Sequence, residues 1–455
     1  MAYIAHMAAR IRLLINGKAM EIKITDISSK GEGIGRREDG LVVFVPGALP
    51  GDTVEAELAE GDASRSAKAR LVSIKDCSDN RIEPLCPNHA ECGGCELMGL
   101  SYEAQLQLKT RHVCDALRRI GGFKEGEDYV LRDILHTGDG SSMPLRYRNK
   151  AEFALSGNRA GYFKRGTHEL LEIDDCLLVP KPVMDAVKAR KSKLKPTQKY
   201  FRQLTVRTSC DGDIMTVTSN SDGTLTSDRK VLHDEIRTAA GVLKTEVSPQ
   251  SFYQVNPAAC SLLYSKVQEY AALGGWETVL DLYCGAGSIG LSMAGQCRRV
   301  IGVESVKPAV IDANRNAVIN GIVNATFICG NAEDVIDTKL QGIKADVVIL
   351  DPPRAGCRQS LLEAVRLIAP DRLIYVSCNP ATLARDLKIL CACDPGSSGV
   401  FRLVETTPVD MFPGSLHIET VCLLSNRKPD SYVHLNLKME DYYRIKDAEK
   451  EQGKK

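Results

Sequence analysis

The chain lacks any long apolar run, and no stretch of it approaches the roughly eighteen consecutive apolar residues that can cross a membrane. Its first residues also lack the charged-then-apolar layout of a secretion signal. Both absences argue against a membrane or secreted protein, so we expect a soluble protein of the cytoplasm. In that reducing compartment the 16 cysteines are expected as thiols: some buried, some ligands, and one able to serve as a nucleophile.

The chain also has almost no net charge, with a formal value of +1 over 455 residues, a length that predicts about two to four domains. This balance hides a basic stretch between Val187 and Arg202 that contains no acidic residue. Its cations are Lys188, Arg190, Lys191, Lys193, Lys195, Lys199 and Arg202. Such a stretch is typical either of a solvated surface or of a contact with a phosphate backbone.

Short β-rich runs separated by glycines fill residues 20–74, which is the pattern of a small antiparallel barrel. Within it, residues 26–35 and 44–48 resemble the two halves of a TRAM domain, an oligonucleotide-fold relative that binds RNA. The resemblance implies contact with RNA but no reaction.

A cysteine-rich segment follows the predicted barrel and precedes a predicted helix over residues 101–120. Cys86, Cys92 and Cys95 form a chelating loop that lacks a fourth ligand, and Cys176 is the candidate for it. The spacing alone allows zinc or an iron-sulfur cluster, and His89 could substitute as a zinc ligand. Unligated structural cysteines are the alternative. Because the ligands come from two distant segments, we expect the site to be structural.

The middle region, about residues 126–245, alternates strand-like runs with charged turns. Its cations alternate with aromatic residues, which suits a sheet face that holds phosphates and stacks bases. These cations are Arg146, Arg148, Lys150, Lys164 and Arg165. Half-buried antiparallel strands give the same alternation without any ligand.

From Thr278 onward, apolar runs of strand length alternate with amphipathic runs of helix length, which predicts a mostly parallel sheet with helices on both faces. A ligand is then expected at the carboxyl ends of the strands. The loop from Gly285 to Gly290 fits the pattern G-x-G-x-x-G, so a nicotinamide enzyme has to be considered. The polar strand ends Asp281, Glu304, Asn331 and Asp351 favour S-adenosylmethionine instead.

Cys378 lies where an apolar run, residues 373–376, is followed by a helix start at Asn379 and Pro380. The partial positive charge of a helix N-terminus lowers the pKa of a nearby thiol. We therefore expect Cys378 to have a lowered pKa and to act as a thiolate nucleophile.

Four motifs, at residues 281–287, 351–356, 377–387 and 411–419, resemble those of the RNA uridine-5-methyltransferases. The similarity is closest to the iron-sulfur-containing RumA type, which acts on 23S ribosomal RNA, and it covers nearly the whole chain. It implies a doubly wound, Rossmann-like class I methyltransferase domain of the α/β class, an N-terminal TRAM barrel and a central α+β RNA-binding domain. The implied boundaries are 12–75 for the barrel, 76–245 for the cysteine loop and central domain, and 246–455 for the catalytic domain.

The same resemblance implies roles for particular residues. Cys378 matches the nucleophile that adds to C6 of uracil, and Glu419 matches the base that removes the C5 proton. Cys86, Cys92, Cys95 and Cys176 would hold a [4Fe-4S] cluster. The residues that would bind S-adenosylmethionine are Gln254, Tyr283, Gly285, Gly287, Ser288, Glu304, Asn331 and Asp351.

The expected partner is RNA, with 23S ribosomal RNA favoured and a loop or single-stranded uridine as the target, and we expect a monomer with no membrane contact. A transfer RNA enzyme is the first alternative, because the related transfer RNA enzymes share the catalytic motifs. An exocyclic-amine methyltransferase would need Asp351 but no thiol. A non-catalytic RNA-binding or iron-sulfur sensor protein would need neither Cys378 nor Glu419. Spacing alone would make Glu419 a surface carboxylate.

Overall fold

A computed structural model of the chain describes residues 19–59, 66–193, 201–220, 222–340, 342–392 and 401–426. Within these ranges, no helix is both long and apolar enough to span a bilayer.

The N-terminal part is a closed five-stranded barrel, as predicted, although one of its strand pairings is parallel and not antiparallel. Its strands are β1 (Met20–Ile27), β2 (Glu32–Arg36), β3 (Val42–Pro46), β4 (Thr53–Leu58) and β5 (Ser66–Asp76), in the order β1-β2-β3-β5-β4. Alternate residues such as Ile22, Ile24, Val43 and Val54 point inward and form the barrel core. Gly35 is required for closure, because a Cβ there would lie 2.2 Å from the Ile22 side chain.

The predicted helix after the cysteine segment is α1 (Tyr102–Ala116), which continues as a π-helical turn at Leu117–Gly121. Ser101 caps it, with its Oγ accepting a hydrogen bond from Ala104 N. A short strand, β6 (Val130–Leu131), follows. Val113 and Leu117 of this region belong to the core of the large C-terminal sheet, so α1 packs against that sheet.

The central part is a six-stranded antiparallel sheet covered by one helix. Its elements are β7 (Lys150–Ser156), β8 (Arg159–Phe163), β9 (Leu170–Glu172), α2 (Lys181–Lys191), β10 (Phe201–Thr208), β11 (Ile214–Asn220) and β12 (Leu225–Ser227), with strand order β12-β11-β10-β7-β8-β9. Phe153 and Leu204 of the sheet pack against Val183 and Val187 of α2. In the basic stretch, Lys191 pairs with Glu172, while Lys195 and Lys199 lie outside the described residues.

A hairpin and a helix lead into the C-terminal α/β part. These are β13 (Leu232–Thr238), β14 (Gly241–Val247) and α3 (Pro257–Ala271). Asn256 caps α3 through Oδ1, which accepts from Ala259 N. The hairpin and α3 pack on one face of the large sheet.

The large sheet has eight strands with helices on both faces, as predicted. Its remaining elements are β15 (Thr278–Leu282), α4 (Ser288–Ser292), β16 (Arg299–Glu304), α5 (Lys307–Ile319), β17 (Ala325–Cys329), α6 (Ala332–Thr338), β18 (Val347–Leu350), α7 (Gln359–Ile368), β19 (Arg372–Ser377), α8 (Pro380–Leu390), β20 (Phe401–Val409) and β21 (Glu419–Asn426). The strand order is β17-β16-β15-β18-β19-β21-β20-β6, and the five strands from β17 to β19 are parallel. β21 is antiparallel to β19, so the start of β21 lies beside the end of β19.

Candidate active site

The strand register brings most of the predicted site residues to one edge of the large sheet. Glu304 pairs with Cys329 at the ends of β16 and β17, while Leu282 pairs with both Val303 and Leu350. Tyr283 and Asp351 follow those paired residues directly, so they are neighbours at the edge. Ser377 pairs with Thr420, which places Cys378 next to Glu419. The order along the edge is Glu304, Tyr283, Asp351, Cys378 and Glu419.

We use the name glycine-loop half for Asp281, the loop at residues 283–290, Glu304, Asn331 and Asp351. Tyr283, Gly285 and Gly287 all have positive φ, of 65°, 56° and 77°. Gly285 N donates to Glu304 Oε2 at 3.1 Å, and the Tyr283 hydroxyl donates to Glu333 Oε1 at 3.0 Å. Gly287 precedes the buried Ser288 at the start of α4. The hydrogen bond from Gly285 therefore connects the loop to Glu304 at the end of the neighbouring strand β16.

Close packing explains why the loop lies there. A Cβ on Gly302 of β16 would lie 2.4 Å from the Phe327 ring and 2.8 Å from Cys284 Sγ. A Cβ on Gly287 would meet the same ring at 2.8 Å. Glycine at both positions thus lets Phe327 fill the space beneath the loop.

Two carboxyl groups in the glycine-loop half lack a cationic partner among the described contacts. Burial raises the pKa of Asp281 to about 7, and burial also raises the pKa of Asp351 to about 7. Asp281 Oδ2 accepts from Gly290 N at 3.0 Å, whereas its buried Oδ1 has no hydrogen-bond partner in the part of the chain that is described. Such groups favour a ligand that brings a positive charge or additional donors.

Two further predicted ligands, Asn331 of this half and Gln254, make hydrogen bonds outside the glycine loop. Asn331 follows β17, is exposed, and donates through Nδ2 to Asp334 Oδ2 at 3.1 Å. Gln254 is buried ahead of α3, and its backbone oxygen accepts from Asn149 Nδ2 at 3.1 Å. Its described contacts therefore join Gln254 to the central sheet rather than to the strand ends.

Cys378 opens into a cleft of about 430 Å³, which we call the Cys378 cleft. The barrel, the residue after Cys95, helix α1 and the large sheet all contribute to its walls. The lining side chains include Ser29, Glu96, His112, Arg354, Cys378 and His417.

Asn379 caps α8 as predicted, with Oδ1 accepting from Ala381 N at 3.1 Å. The predicted lowering of the Cys378 pKa is nevertheless wrong. Burial raises the pKa of this thiol to about 11, the charge of Glu419 acts in the same direction, and the Arg354 guanidinium opposes both. Removal of the sulfur from water penalises the thiolate and is the largest cause of the raised pKa.

Glu419 is buried, with 7% of its surface exposed, so the surface-carboxylate interpretation is wrong. Burial, followed by the nearby charge of Asp351, raises its pKa well above the usual range, while Arg354 acts in the opposite direction. A pKa of about 11 means that the Cys378 thiol holds its proton at neutral pH in this arrangement.

The four predicted ligand cysteines, Cys86, Cys92, Cys95 and Cys176, line a second cavity of about 230 Å³. This cavity is far larger than the roughly 10–15 Å³ that one water molecule needs. In the described part of the chain, no group of three or more His, Cys, Asp or Glu side chains is arranged to hold a single metal ion. The volume of the cavity and its four cysteine sulfurs would fit a bound group larger than one metal ion.

Two cations predicted to face RNA instead hold this cavity together. Arg146 donates to Asp175 and, at 2.7 Å, to the Cys176 carbonyl. Arg165 donates to the carbonyls of His89 and Cys92 at 3.5 and 3.4 Å. The alternation of cations and aromatics thus reflects structural contacts at these positions.

Several residues of the Cys378 cleft were not predicted. Arg354 and His417 lie inside the motifs that contain Asp351 and Glu419, so the motifs gave a signal for them. Ser29, Glu96 and His112 come from three distant segments, and no local pattern indicates that they meet.

Comparisons with known proteins agree with this geometry. Residues 197–427 match the family model of tRNA (uracil-5-)-methyltransferases, and residues 14–72 match that of the TRAM domain. An uncharacterized RNA methyltransferase of Caldanaerobacter subterraneus subsp. tengcongensis is 35% identical, over 90% of this chain and 98% of its own length. Another from Halalkalibacterium halodurans is 34% identical, over 89% of this chain and 96% of its own length.

A solved structure is similar over most of the chain as well. It is the Pyrococcus abyssi tRNA (uracil-54, C5)-methyltransferase in complex with S-adenosyl-L-homocysteine, with a TM-score of 0.66 and 25% identity. The match covers 89% of this chain and all of the other. The chain therefore belongs to the RNA uracil-5-methyltransferase family, and it is an S-adenosylmethionine-dependent RNA methyltransferase.

Proposed function

We propose that this enzyme methylates C5 of a uridine in RNA through a covalent bond between Cys378 and C6 of the base. The observation that carries the proposal is the register between β19 and β21, which places Cys378 beside the buried Glu419 at adjacent strand ends. A nucleophile and a base at adjacent strand ends are what this addition and elimination require.

The proposed methyl donor, S-adenosylmethionine, would bind the glycine-loop half and supply a methyl group on a positively charged sulfur. Asp351 would face that charge, which fits a half-buried carboxyl whose pKa is raised to about 7 and which has no cation beside it in the described contacts. Glu304 and Tyr283 would hold polar groups of the ligand. Gly285, Gly287 and Ser288 would line the ligand, with Asn331 and Gln254 at its margins.

The chemistry follows from the low nucleophilicity of C5 in uracil. The Cys378 thiolate would form a bond to C6, moving an electron pair toward C5 and the neighbouring carbonyl. C5 would then bond to the methyl group, and the bond between that methyl group and the donor sulfur would break, releasing S-adenosylhomocysteine. Glu419 would remove the C5 proton, and the electron pair of the C5–H bond would restore the C5–C6 double bond. The bond between Cys378 and C6 would break with its own electron pair leaving on sulfur, which regenerates the thiolate.

The resting protonation state of Cys378 adds a requirement. Because burial raises the pKa of Cys378 to about 11, the thiol must release its proton to solvent as the RNA binds. The nearby cation Arg354 favours the thiolate, since its charge lowers the pKa of Cys378. We therefore expect the methylation rate to rise with pH through the neutral range.

We also propose that Cys86, Cys92, Cys95 and Cys176 hold a [4Fe-4S] cluster. Four sulfurs around one cavity, and two arginines fastening the segments that carry them, support this proposal. The cluster would join the cysteine segment to the central sheet. Its test is iron and sulfide content of protein purified without oxygen.

For the substrate we propose 23S ribosomal RNA, since the barrel and the four-cysteine cavity together accompany that type within the family. The similarity to the Pyrococcus abyssi enzyme favours transfer RNA as the second candidate. We further propose that the protein acts as a cytoplasmic monomer, and that residues 12–75, 76–245 and 246–455 are its functional divisions.

The test is incubation with labelled S-adenosylmethionine and total RNA, followed by mapping of the modified nucleotide. Label recovered as 5-methyluridine in 23S ribosomal RNA is the expected result. The same nucleotide in transfer RNA would support the second candidate. Label on an exocyclic amine, or no transfer, would contradict the proposed reaction.

A further inference from the structure

A fully buried ion pair lies beneath the segment that leads to Glu419. Lys109 of α1 and Asp410, the residue after β20, are both 0% exposed, with 2.5 Å between Lys109 Nζ and Asp410 Oδ1. The Tyr102 hydroxyl donates to Asp410 Oδ2 at 2.9 Å. Lysine and aspartate are almost never fully buried unless paired. The arrangement thus satisfies two charges within the protein interior.

These groups come from one face of α1. Tyr102, Gln105 and Lys109 are spaced by three and four residues, which places them in a row along the helix. Gln105 Oε1 accepts from Gly414 N at 3.0 Å, while Lys109 Nζ donates to the Phe412 carbonyl at 2.9 Å. A helix face that would ordinarily be apolar is therefore polar and directed at residues 410–414.

The contacts continue from this row toward the site. The Phe412 carbonyl also accepts from Ser415 Oγ at 3.0 Å, and Ser415 Oγ accepts from His417 N at 3.4 Å. The His417 and Phe412 rings lie edge to face, 5.8 Å apart. Glu419 begins β21 two residues after His417. The chain of contacts runs from Lys109 to the residue that flanks the proposed base.

A buried ion pair is an inefficient way to stabilise a fold, because desolvation of the two charges offsets much of their attraction. Its hydrogen bonds have fixed directions, however, so the pair can hold a backbone segment in one arrangement.

We propose that the Lys109–Asp410 pair, with Tyr102, is a positioning device that fixes residues 410–418 so that Glu419 faces the uridine held by Cys378. The inference rests on the proposed function, since it assigns these residues to the proton-removal step of that reaction.

The test compares the paired variant Lys109→Met/Asp410→Leu with the wild type. Replacing both partners by apolar residues removes the directional bonds without leaving an unpaired charge, so the melting temperature should stay close to that of the wild type. Turnover on uridine RNA should fall by about tenfold or more, because a displaced base transfers protons poorly. The exposed pair Lys124 and Glu127 gives a matched control, since Lys124→Met/Glu127→Leu should change neither quantity.

RNA with 5-fluorouridine at the target separates positioning from general damage. Fluorine replaces the C5 hydrogen, so the covalent RNA–protein adduct forms and stays without any proton removal. The paired variant should form this adduct at close to the wild-type rate, although its turnover on ordinary RNA is low. Equal losses of adduct formation and turnover, or normal turnover in a folded variant, would overturn the inference.

Tyr102→Phe keeps the inference testable if the paired variant does not fold. It removes one hydrogen bond from Asp410 and should lower turnover by about threefold, again without slowing adduct formation. An unchanged turnover, or a matching fall in adduct formation, would contradict the inference. A wild-type enzyme that forms no adduct at Cys378 would instead refute the proposed function.

Discussion

The two halves of the site are assembled differently. The glycine-loop half comes from consecutive β-α units of one sheet, and its residues follow strand ends that pair in register. The Cys378 cleft instead takes Ser29 from the barrel, Glu96 from the cysteine segment and His112 from α1. Under the proposed function, binding of the methyl donor would be a local property of the sheet, whereas access of RNA to Cys378 would depend on three other parts of the chain.

Cys378→Ala is expected to have the largest effect of the variants, and to affect the Cys378 cleft without affecting the glycine-loop half. Methyl transfer should fall by about 10⁴-fold or more, because the step that activates C5 is lost. Affinity for S-adenosylmethionine, measured by calorimetry, should be unchanged. Cys210→Ala alters an exposed cysteine beyond the site and should leave both quantities at wild-type values. A Cys378→Ala enzyme that remains active would support exocyclic-amine chemistry.

Glu419→Gln should give the next largest effect. Turnover should fall by about 10²–10⁴-fold, since a neutral amide cannot take the C5 proton. The methylated covalent adduct should accumulate on ordinary RNA and appear as a slow band on a denaturing gel. A fall in turnover without any accumulated adduct would assign Glu419 to an earlier step.

Asp351→Asn tests the electrostatics of the glycine-loop half. Burial raises the pKa of Asp351 to about 7, so ionisation as pH rises through 7 should strengthen binding of a positively charged donor. The variant should lose this pH dependence and bind about tenfold more weakly at pH 8. Calorimetric titrations at pH 6 and pH 8 measure both effects.

The same raised pKa has a consequence for stability. Between about pH 4 and about pH 7 the unfolded chain ionises this carboxyl while the folded protein keeps it protonated. The free energy of unfolding of the unliganded wild type should therefore fall as the pH rises from about 4 to about 7, and that of Asp351→Asn should fall less. Melting temperatures of the two proteins measured over this range provide the check, and parallel curves would contradict the assigned pKa.

Cys95→Ala should have the smallest effect on donor binding, because the four-cysteine cavity lies outside the glycine-loop half. We expect loss of bound iron and a lower melting temperature, with weaker binding of RNA. Cys77→Ser, at an exposed cysteine that does not line this cavity, should change none of these. Iron retained in full in Cys95→Ala, which has no donor atom at this position, would exclude Cys95 as a ligand.

The sequence predicted the glycine-loop half well because its signals are local. Each apolar strand ends in a polar residue, as at Asp351, and parallel pairing brings such ends together. The cap at Asn379 was predicted for the same reason. The direction of the Cys378 pKa shift was not predicted, because the burial of the sulfur depends on which distant segments cover it.

Tertiary contacts also determine which groups the predicted RNA-binding cations contact. Arg146 and Arg165 lie in a sequence pattern typical of RNA-binding residues. In the structure they instead donate hydrogen bonds to Asp175 and to backbone carbonyls of the cysteine segments. The pairing of Lys109 with Asp410 joins residues 301 positions apart, and neither position has a local pattern that indicates the other.

Covalent catalysis by Cys378 is tested most directly by mass spectrometry of the protein after reaction with S-adenosylmethionine and RNA that carries 5-fluorouridine. One methylated nucleotide attached to the peptide that contains Cys378 is the expected result. Efficient methylation of ordinary RNA with no such attachment, or attachment at another residue, would contradict it.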